Sequence, residues 1–381
     1  MVPLTRPAGA GHPLPLGEGF VPKHFPIWTA RVVYKAQIKR EEFMKRSAAI
    51  LTCGFALGGA MGMLGAPQAN QPTAPTPPLW AFPVAPAAAR GAAGAGGGAA
   101  GAAAPDTSPK SVPGTTVTLT LAQVRDSYNI PDWHPDGHPA MPDIVSHGRR
   151  PAVISCGYCH LPNGQGRPEN SSVAGLPAAY IIQQMSDFKN GLRKSSESRL
   201  GPQNLMVNIG KAATDAEVQA AAEYFSKLKL KPWIRVVETA MVPKTRIAGG
   251  MFSAIEDGGT EPIGNRVIEV PENLERTELR DDASGFIAYA PVGSIKKGEA
   301  LVTNGGGKTT ACAICHGSDL KGMGPVPSIA GRSPSQMGRQ IWDMQHGART
   351  GLWSDLMKPV VKNLTEEDLV SITAYLASLK P

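Results

Sequence analysis

Two stretches far apart in the chain carry the same rhythm of apolar positions. Val218, Ala221, Phe225 and Leu228 fall on one helical face, and Leu369, Ile372, Leu376 and Leu379 repeat the i, i+3, i+7, i+10 spacing. Each run follows a capping signature, Thr214 with Glu217 and Thr365 with Asp368. Two amphipathic helices are therefore expected, with their apolar faces in the core rather than against a cofactor. Further helices are expected over Ala178 to Asn190 and Pro334 to His346, and one before or around each of two cysteine motifs upstream. Between the two helical regions, Arg266 to Val270 and Phe286 to Tyr289 have strand character, broken by Gly258-Gly259, Pro262 and Pro271.

The shared rhythm is part of a longer duplication. An offset of 156 positions sets Met141–Arg193 on Lys297–Arg349 without a gap, pairing Ala174-Gly175 with Ala330-Gly331, Gln184 with Gln340, Asp187 with Asp343 and Arg193 with Arg349. Beyond it the offset drops to 151, and Met206 then meets Met357, Thr214 meets Thr365 and Tyr224 meets Tyr375. A match held over this length is one domain copied within the chain.

The copies share one chemical motif: Cys156-Gly157-Tyr158-Cys159-His160 and Cys312-Ala313-Ile314-Cys315-His316. Two thiols three positions apart can add to both vinyl groups of a haem, and the adjacent His can turn under the porphyrin to bind iron, so C-x-x-C-H reads as covalent haem attachment. One copy alone would equally suit half a zinc site or a thioredoxin-like redox pair. A structural zinc site, however, needs four Cys or His ligands, and neither motif has a second C-x-x-C or an H-x-x-x-H beside it.

A second axial ligand would close each iron. Met206 and Met357 occupy the same place in the repeat, each eight residues before the capping Thr, and are expected on the loop before the final helix. Most Met residues are core filler, but equivalence in a duplication favours ligation. Met185 and Met344 are not equivalent, and His346 is matched by Asn190. His134, His138 and His147 are expected to be exposed loop histidines. A His/Met pair raises the reduction potential, and an iron closed on both sides is suited to outer-sphere electron transfer.

Composition sets the remaining boundaries. The 381 residues allow two or three units, and 43 Gly and 35 Pro imply much loop. The net charge of +7 comes without a Lys/Arg run interleaved with aromatics, so nucleic acid is not an expected partner. Gly305-Gly306-Gly307-Lys308-Thr309 has the end of a phosphate-binding loop. Val302 stands where such a loop needs Gly, and Cys312 follows too soon for its helix, which excludes nucleotide binding. Residues 1–43 are expected to be an upstream extension, with Met44-Lys45-Arg46 as the better start of a signal peptide over 44–69. The protein is accordingly expected in the periplasm, or tethered to the membrane if that segment is retained. Cys53 lies inside the apolar stretch after Thr52, a poor context for lipidation. The Ala/Pro/Gly-rich stretch 70–116 is expected to be a flexible tether.

On these residues the sequence resembles the tandem di-haem class I cytochromes c of bacteria, over about 141–229 and 293–380. The resemblance implies a mainly α fold of two tandem cytochrome c domains, 117–231 and 292–381, with an irregular inter-domain segment, 232–291, and a disordered N-terminal region. It implies two covalent haem c groups, held by Cys156 and Cys159 and by Cys312 and Cys315, with irons ligated by His160 and Met206 and by His316 and Met357. In this family a Pro carbonyl commonly accepts the proximal histidine's ring proton. Pro327 fits that role, whereas the first copy has Ser171, which implies a weaker contact and unequal potentials. The implied function is single-electron transfer between redox proteins such as a dehydrogenase, an oxidase or another cytochrome, as a free carrier or as the cytochrome subunit of a dehydrogenase or respiratory complex. A peroxidase-like di-haem enzyme with one open haem, or a haem sensor, are the alternatives. Lys189, Arg193, Lys194 and Lys211, with Arg339, Arg349, Lys358 and Lys362, are expected to ring the haem edges with positive charge.

Overall fold

In a computed structural model of the protein, residues 75–85 and 106–381 are described. The expected upstream extension, the signal segment, Cys53 and residues 70–74 and 86–105 of the tether lie outside them. Helices dominate: α1 (Leu121–Val124), α2 (Asp143–Ser146), α3 (Cys156–His160), α4 (Ala178–Lys189), α5 (Gly201–Ala212) and α6 (Asp215–Lys227) come first. The inter-repeat segment follows with β1 (Ile234–Glu238), β2 (Met241–Pro243), β3 (Thr245–Ala248), β4 (Met251–Ala254), β5 (Thr260–Pro262), β6 (Ile268–Pro271), α7 (Leu274–Glu278) and β7 (Phe286–Ala290). The second repeat contributes α8 (Ser294–Asn304), α9 (Ala313–His316), α10 (Pro334–Gln345), α11 (Ser354–Val361) and α12 (Glu366–Ser378). Among the described residues no helix is long and apolar enough to cross a membrane.

Both expected capping boxes form. The Thr214 hydroxyl accepts from Glu217 N–H at the start of α6, and the Thr365 hydroxyl accepts from Asp368 N–H at the start of α12. Behind them Ala221, Phe225 and Leu228 are buried in the first core, and Leu369, Ile372 and Leu376 in the second. The paired glycines have a backbone reason. Gly175 and Gly331 adopt φ of 68° and 67°, where a side chain would be strained. There each N–H reaches the final helix of its own repeat, at Phe225 O (3.0 Å) and Leu376 O (2.8 Å).

The inter-repeat segment is not a spacer. β1, which leaves the first repeat, runs parallel to β7, which enters the second, with Ile234 opposite Phe286 and Glu238 opposite Ala290, and β6 pairs antiparallel on the other side of β7. The chain between is thus looped out, with its two ends zipped together. β7 alternates buried and half-buried residues, the period expected of a strand with one core face. The sequence anticipated β6 and β7; the short strands β1 to β5 went unpredicted.

The tether expectation fails at residues 75–85. Trp80 and Phe82 are each 1% exposed and belong to the core of the second repeat with Met337, Trp342 and Leu369. Trp80 donates from Nε1 to Glu366 Oε1 (3.1 Å), and the Ala81 carbonyl accepts from Arg339 Nη1 (2.8 Å). A composition average over the stretch hides two aromatics, side chains with a large apolar area to bury. Further on, Val112, Val124 and Trp133 form a small core with Leu279 of the inter-repeat segment.

Candidate functional site

Each C-x-x-C-H forms one short helical turn, so both cysteines and the histidine of a motif face one side. None of the four motif cysteines is in a disulfide. Burial pushes the Cys156 thiol up to about 12 and the Cys312 thiol up to about 11, since an apolar setting disfavours thiolate. Burial also pulls His160 and His316 below the ordinary imidazole range, favouring the neutral ring that a metal requires.

The ring nitrogens of these histidines are set by a carbonyl eleven residues downstream. His160 Nδ1 lies 2.7 Å from Ser171 O and His316 Nδ1 lies 2.8 Å from Pro327 O. Since a carbonyl only accepts, Nδ1 carries the proton in both rings and Nε2 presents its lone pair. This corrects the expectation of a weaker contact in the first copy. The acceptor is the backbone carbonyl, which Ser171 supplies as well as Pro327 does, and the difference of 0.1 Å gives no basis for unequal potentials.

One continuous cavity of about 520 Å³ is lined by Cys156, Cys159, His160 and Met206 from the first repeat and by Cys312, Cys315, His316 and Met357 from the second. The methionines reach it from helices, not from loops. Met206 sits in α5 and Met357 in α11, both half-buried. Gly201-Pro202 and the internal Pro359 disguised these helices, although Pro at the first turn is favourable and α11 tolerates its Pro late in the helix. Among the three collar histidines none lines this cavity. His138 is not an exposed loop residue either: its side chain is 3% exposed and bound to Asp132 (3.1 Å).

The expected ring of positive charge divides in two. Lys189, Lys194, Lys211 and Lys362 are exposed and Lys358 is half-buried, but Arg193, Arg339 and Arg349 are buried between the repeats. Arg193 donates to Gln184 Oε1 (3.0 Å) and Gln340 Oε1 (2.9 Å), and Arg349 donates to the same two oxygens (2.8 Å each). Two equivalent Arg/Gln pairs are thereby crossed around a local twofold. Arg332 extends the contact from the second repeat to Ser172 O (2.7 Å) and Ala174 O (3.1 Å) of the first. Burial, with Arg349 alongside, brings Arg193 down to about 9, and burial brings Arg332 and Arg339 down to about 10. Nε of both Arg193 and Arg349 is buried without a hydrogen-bond partner among the described residues. These arginines line the same cavity. An apolar cavity bordered by buried cations with unused donors suits a large, flat, apolar group that carries acidic substituents, as a haem does.

Comparison with known proteins gives the same direction. A cytochrome c family model matches residues 295–380. A thiosulfate dehydrogenase electron acceptor of Stutzerimonas stutzeri (strain A1501) is 31% identical over 235 residues, which cover 61% of this chain and 82% of that protein. A protein of the same name from Thiomonas intermedia (strain K12) is 25% identical over 231 residues, covering 60% and 80%. The cytochrome subunit of sulfide dehydrogenase from Chlorobaculum tepidum is 31% identical over 103 residues, covering 26% and 89%.

Proposed function

Because the chain belongs to the di-haem cytochrome c family, we propose that it binds two covalent haem c groups in two tandem class I domains, 117–231 and 292–381, and relays single electrons between redox proteins. Cys156 and Cys159 hold the first haem and Cys312 and Cys315 the second. His160 and Met206 ligate one iron, and His316 and Met357 the other. Bound haem supplies a one-electron Fe(III)/Fe(II) couple. The chain's own residues do the rest. Ser171 O and Pro327 O orient the histidines, and Met206 and Met357, which line the same cavity, would fill a coordination position that a substrate would otherwise take. The buried arginines between the repeats favour acidic groups there and hold the repeats in register.

The observation that carries this reading is the convergence of two equivalent Cys/Cys/His/Met sets on one cavity. With both irons closed, an enzymatic role at an open haem has no support from the residues. The names of the relatives support a donor that oxidises a reduced sulfur compound, with this chain as the acceptor subunit or partner. An exported, periplasmic location fits haem attachment by thioethers and the signal-like segment 44–69.

Mass spectrometry of the protein purified from the periplasm tests the count, with two haem additions expected and one or none overturning it. Carbon monoxide added to the reduced protein tests closure. Absence of a spectral change is expected, and rapid binding at either haem would overturn His/Met ligation there.

A further inference from the structure

Two segments that the duplication does not cover meet next to the first C-x-x-C-H motif, at a second cavity. One is the collar around His134; the other is the turn Asp281-Asp282 that follows α7 in the inter-repeat segment. His134 Nε2 lies 2.9 Å from Asp281 Oδ1 and 3.9 Å from Asp282 Oδ1. One ligand atom from each of the three residues falls within 4.8 Å of the other two. Both carboxylates are buried, Asp282 to 4% exposure. His134 and Asp282 also line a second cavity, of about 470 Å³, that contains none of the cytochrome ligands.

An ordinary ion pair accounts for only half of this arrangement. Asp281 is fully engaged: Oδ1 accepts from Ala283 N–H (2.9 Å) and Oδ2 from Arg276 Nε (2.7 Å). Asp282 is not. Its backbone carbonyl accepts from Asn163 Nδ2, but its side-chain Oδ1 is buried with no hydrogen-bond partner among the described residues. A carboxylate oxygen taken out of water and left unpaired is costly unless a cation or a proton meets it.

We infer that His134, Asp281 and Asp282 form a binding site for a divalent transition cation, best matched by Zn²⁺, that fastens the collar to the inter-repeat segment. One imidazole nitrogen and two carboxylate oxygens are a donor set that zinc accepts at about 2.0–2.2 Å. Calcium and magnesium prefer all-oxygen shells with more ligands. His134 and Asp282 line the second cavity, from which water would complete the shell. Arg276 and Ala283 N–H keep Asp281 in place from behind, as outer hydrogen bonds do in metal centres. The contact joins residues 147 positions apart in sequence, beside the small core in which Trp133 of the collar packs on Leu279 of the inter-repeat segment.

The test uses the tag-free, full-length holoprotein dialysed against Zn²⁺, with zinc and iron counted by plasma mass spectrometry and the melting temperature followed in zinc and in chelator. One zinc per chain and a melting temperature that rises with zinc are expected. Asp282→Asn and His134→Gln, each with unchanged haem spectra, are expected to bind zinc at least about tenfold more weakly and to lose the thermal response. The two variants report independently, so loss of folding in one leaves the other to decide. Wild-type protein without bound zinc, or variants that retain zinc as well as wild type, would overturn the site. The zinc count is independent of the haem assignment.

Discussion

The two repeats share a motif and differ in what covers it. In the first, the inter-repeat segment roofs the motif: the Arg280 guanidinium lies 3.5 Å from the centre of the Tyr158 ring, and Arg280 Nη1 donates to Tyr158 O (2.6 Å). Arg167, the counterpart of Met323, donates to Thr277 O (3.3 Å) and pairs with Glu169 (2.6 Å). In the second, Ile314 at the position of Tyr158 is 64% exposed and Met323 is 57% exposed. The second repeat is closed elsewhere instead, by the strap of Trp80 and Phe82 and by the long helix α8, whose Gly298 lets it cross α12 where a Cβ would sit 2.0 Å from Ser371 O. The inter-repeat segment therefore covers the motif of the first copy and leaves that of the second open.

The largest expected effects come from the methionines. Met206→Ala and Met357→Ala are each expected to convert one haem, and only one, to a high-spin form that binds carbon monoxide after reduction. Binding is expected to be faster in Met357→Ala, where the surroundings are open; equal rates would break the comparison between covered and open repeats. Next in size is the strap. Trp80→Ala removes a buried indole and is expected to destabilise the second repeat by about 3–5 kcal/mol, read as a lower denaturant midpoint. A loss under about 1 kcal/mol would mean the strap is not part of that core.

How much of this was legible depends on where the information sits. The duplication, both motifs and both capped helices are encoded in spacing along the chain, and spacing is what a sequence displays. Ser171 was misjudged because its contribution is a backbone carbonyl, which no side chain identifies. The helices holding Met206 and Met357 were read as loop because Gly201, Pro202 and Pro359 count as breakers until their position within the turn is known. Arg193 and Arg349 looked like solvated charge because their acceptors, Gln340 and Gln184, come from the opposite repeat. The roofing of Tyr158 by Arg280 is likewise a contact across 122 positions. Local pattern was readable; partners supplied by distant segments were not.

The capping acids sharpen the comparison at lower energy. Glu217 is lowered by its hydrogen bond to Arg149 and keeps partial contact with water. Burial raises Asp368, but Lys308 and the Thr365 cap outweigh it and bring the carboxyl down to about 2. A depressed carboxylate contributes stability above its unfolded value, and that contribution is lost as pH falls toward the folded one. For Asp368 the window runs from 3.8 down to about 2. Asp368→Asn is expected to cost about 1–2 kcal/mol at neutral pH and to flatten acid unfolding in that window. Glu217→Gln is expected to cost less, about 0.5 kcal/mol, because its ion pair is exposed. The roof itself is worth about 1 kcal/mol by cation–π attraction. Arg280→Ala is expected to lose that and to raise the rate at which a small reductant reaches the first haem, narrowing its difference from the second.

The smallest expected effect tests the claim that a carbonyl, and not a proline, serves the proximal histidine. Ser171→Pro would make the first repeat match the second at this position while keeping the acceptor for His160 Nδ1. It removes the Ser171 hydroxyl that accepts from Gln336 Nε2 (3.0 Å), a cost of about 1 kcal/mol at the contact between repeats. The potential of the first haem is expected to stay where it was, since the hydrogen bond that tunes the imidazole is unchanged. Redox titration of both haems reads the outcome. A clear shift of the first haem toward the second would show that the ring of Pro327 contributes something that its carbonyl alone does not, and the equivalence argued from the 2.7 and 2.8 Å contacts would fail.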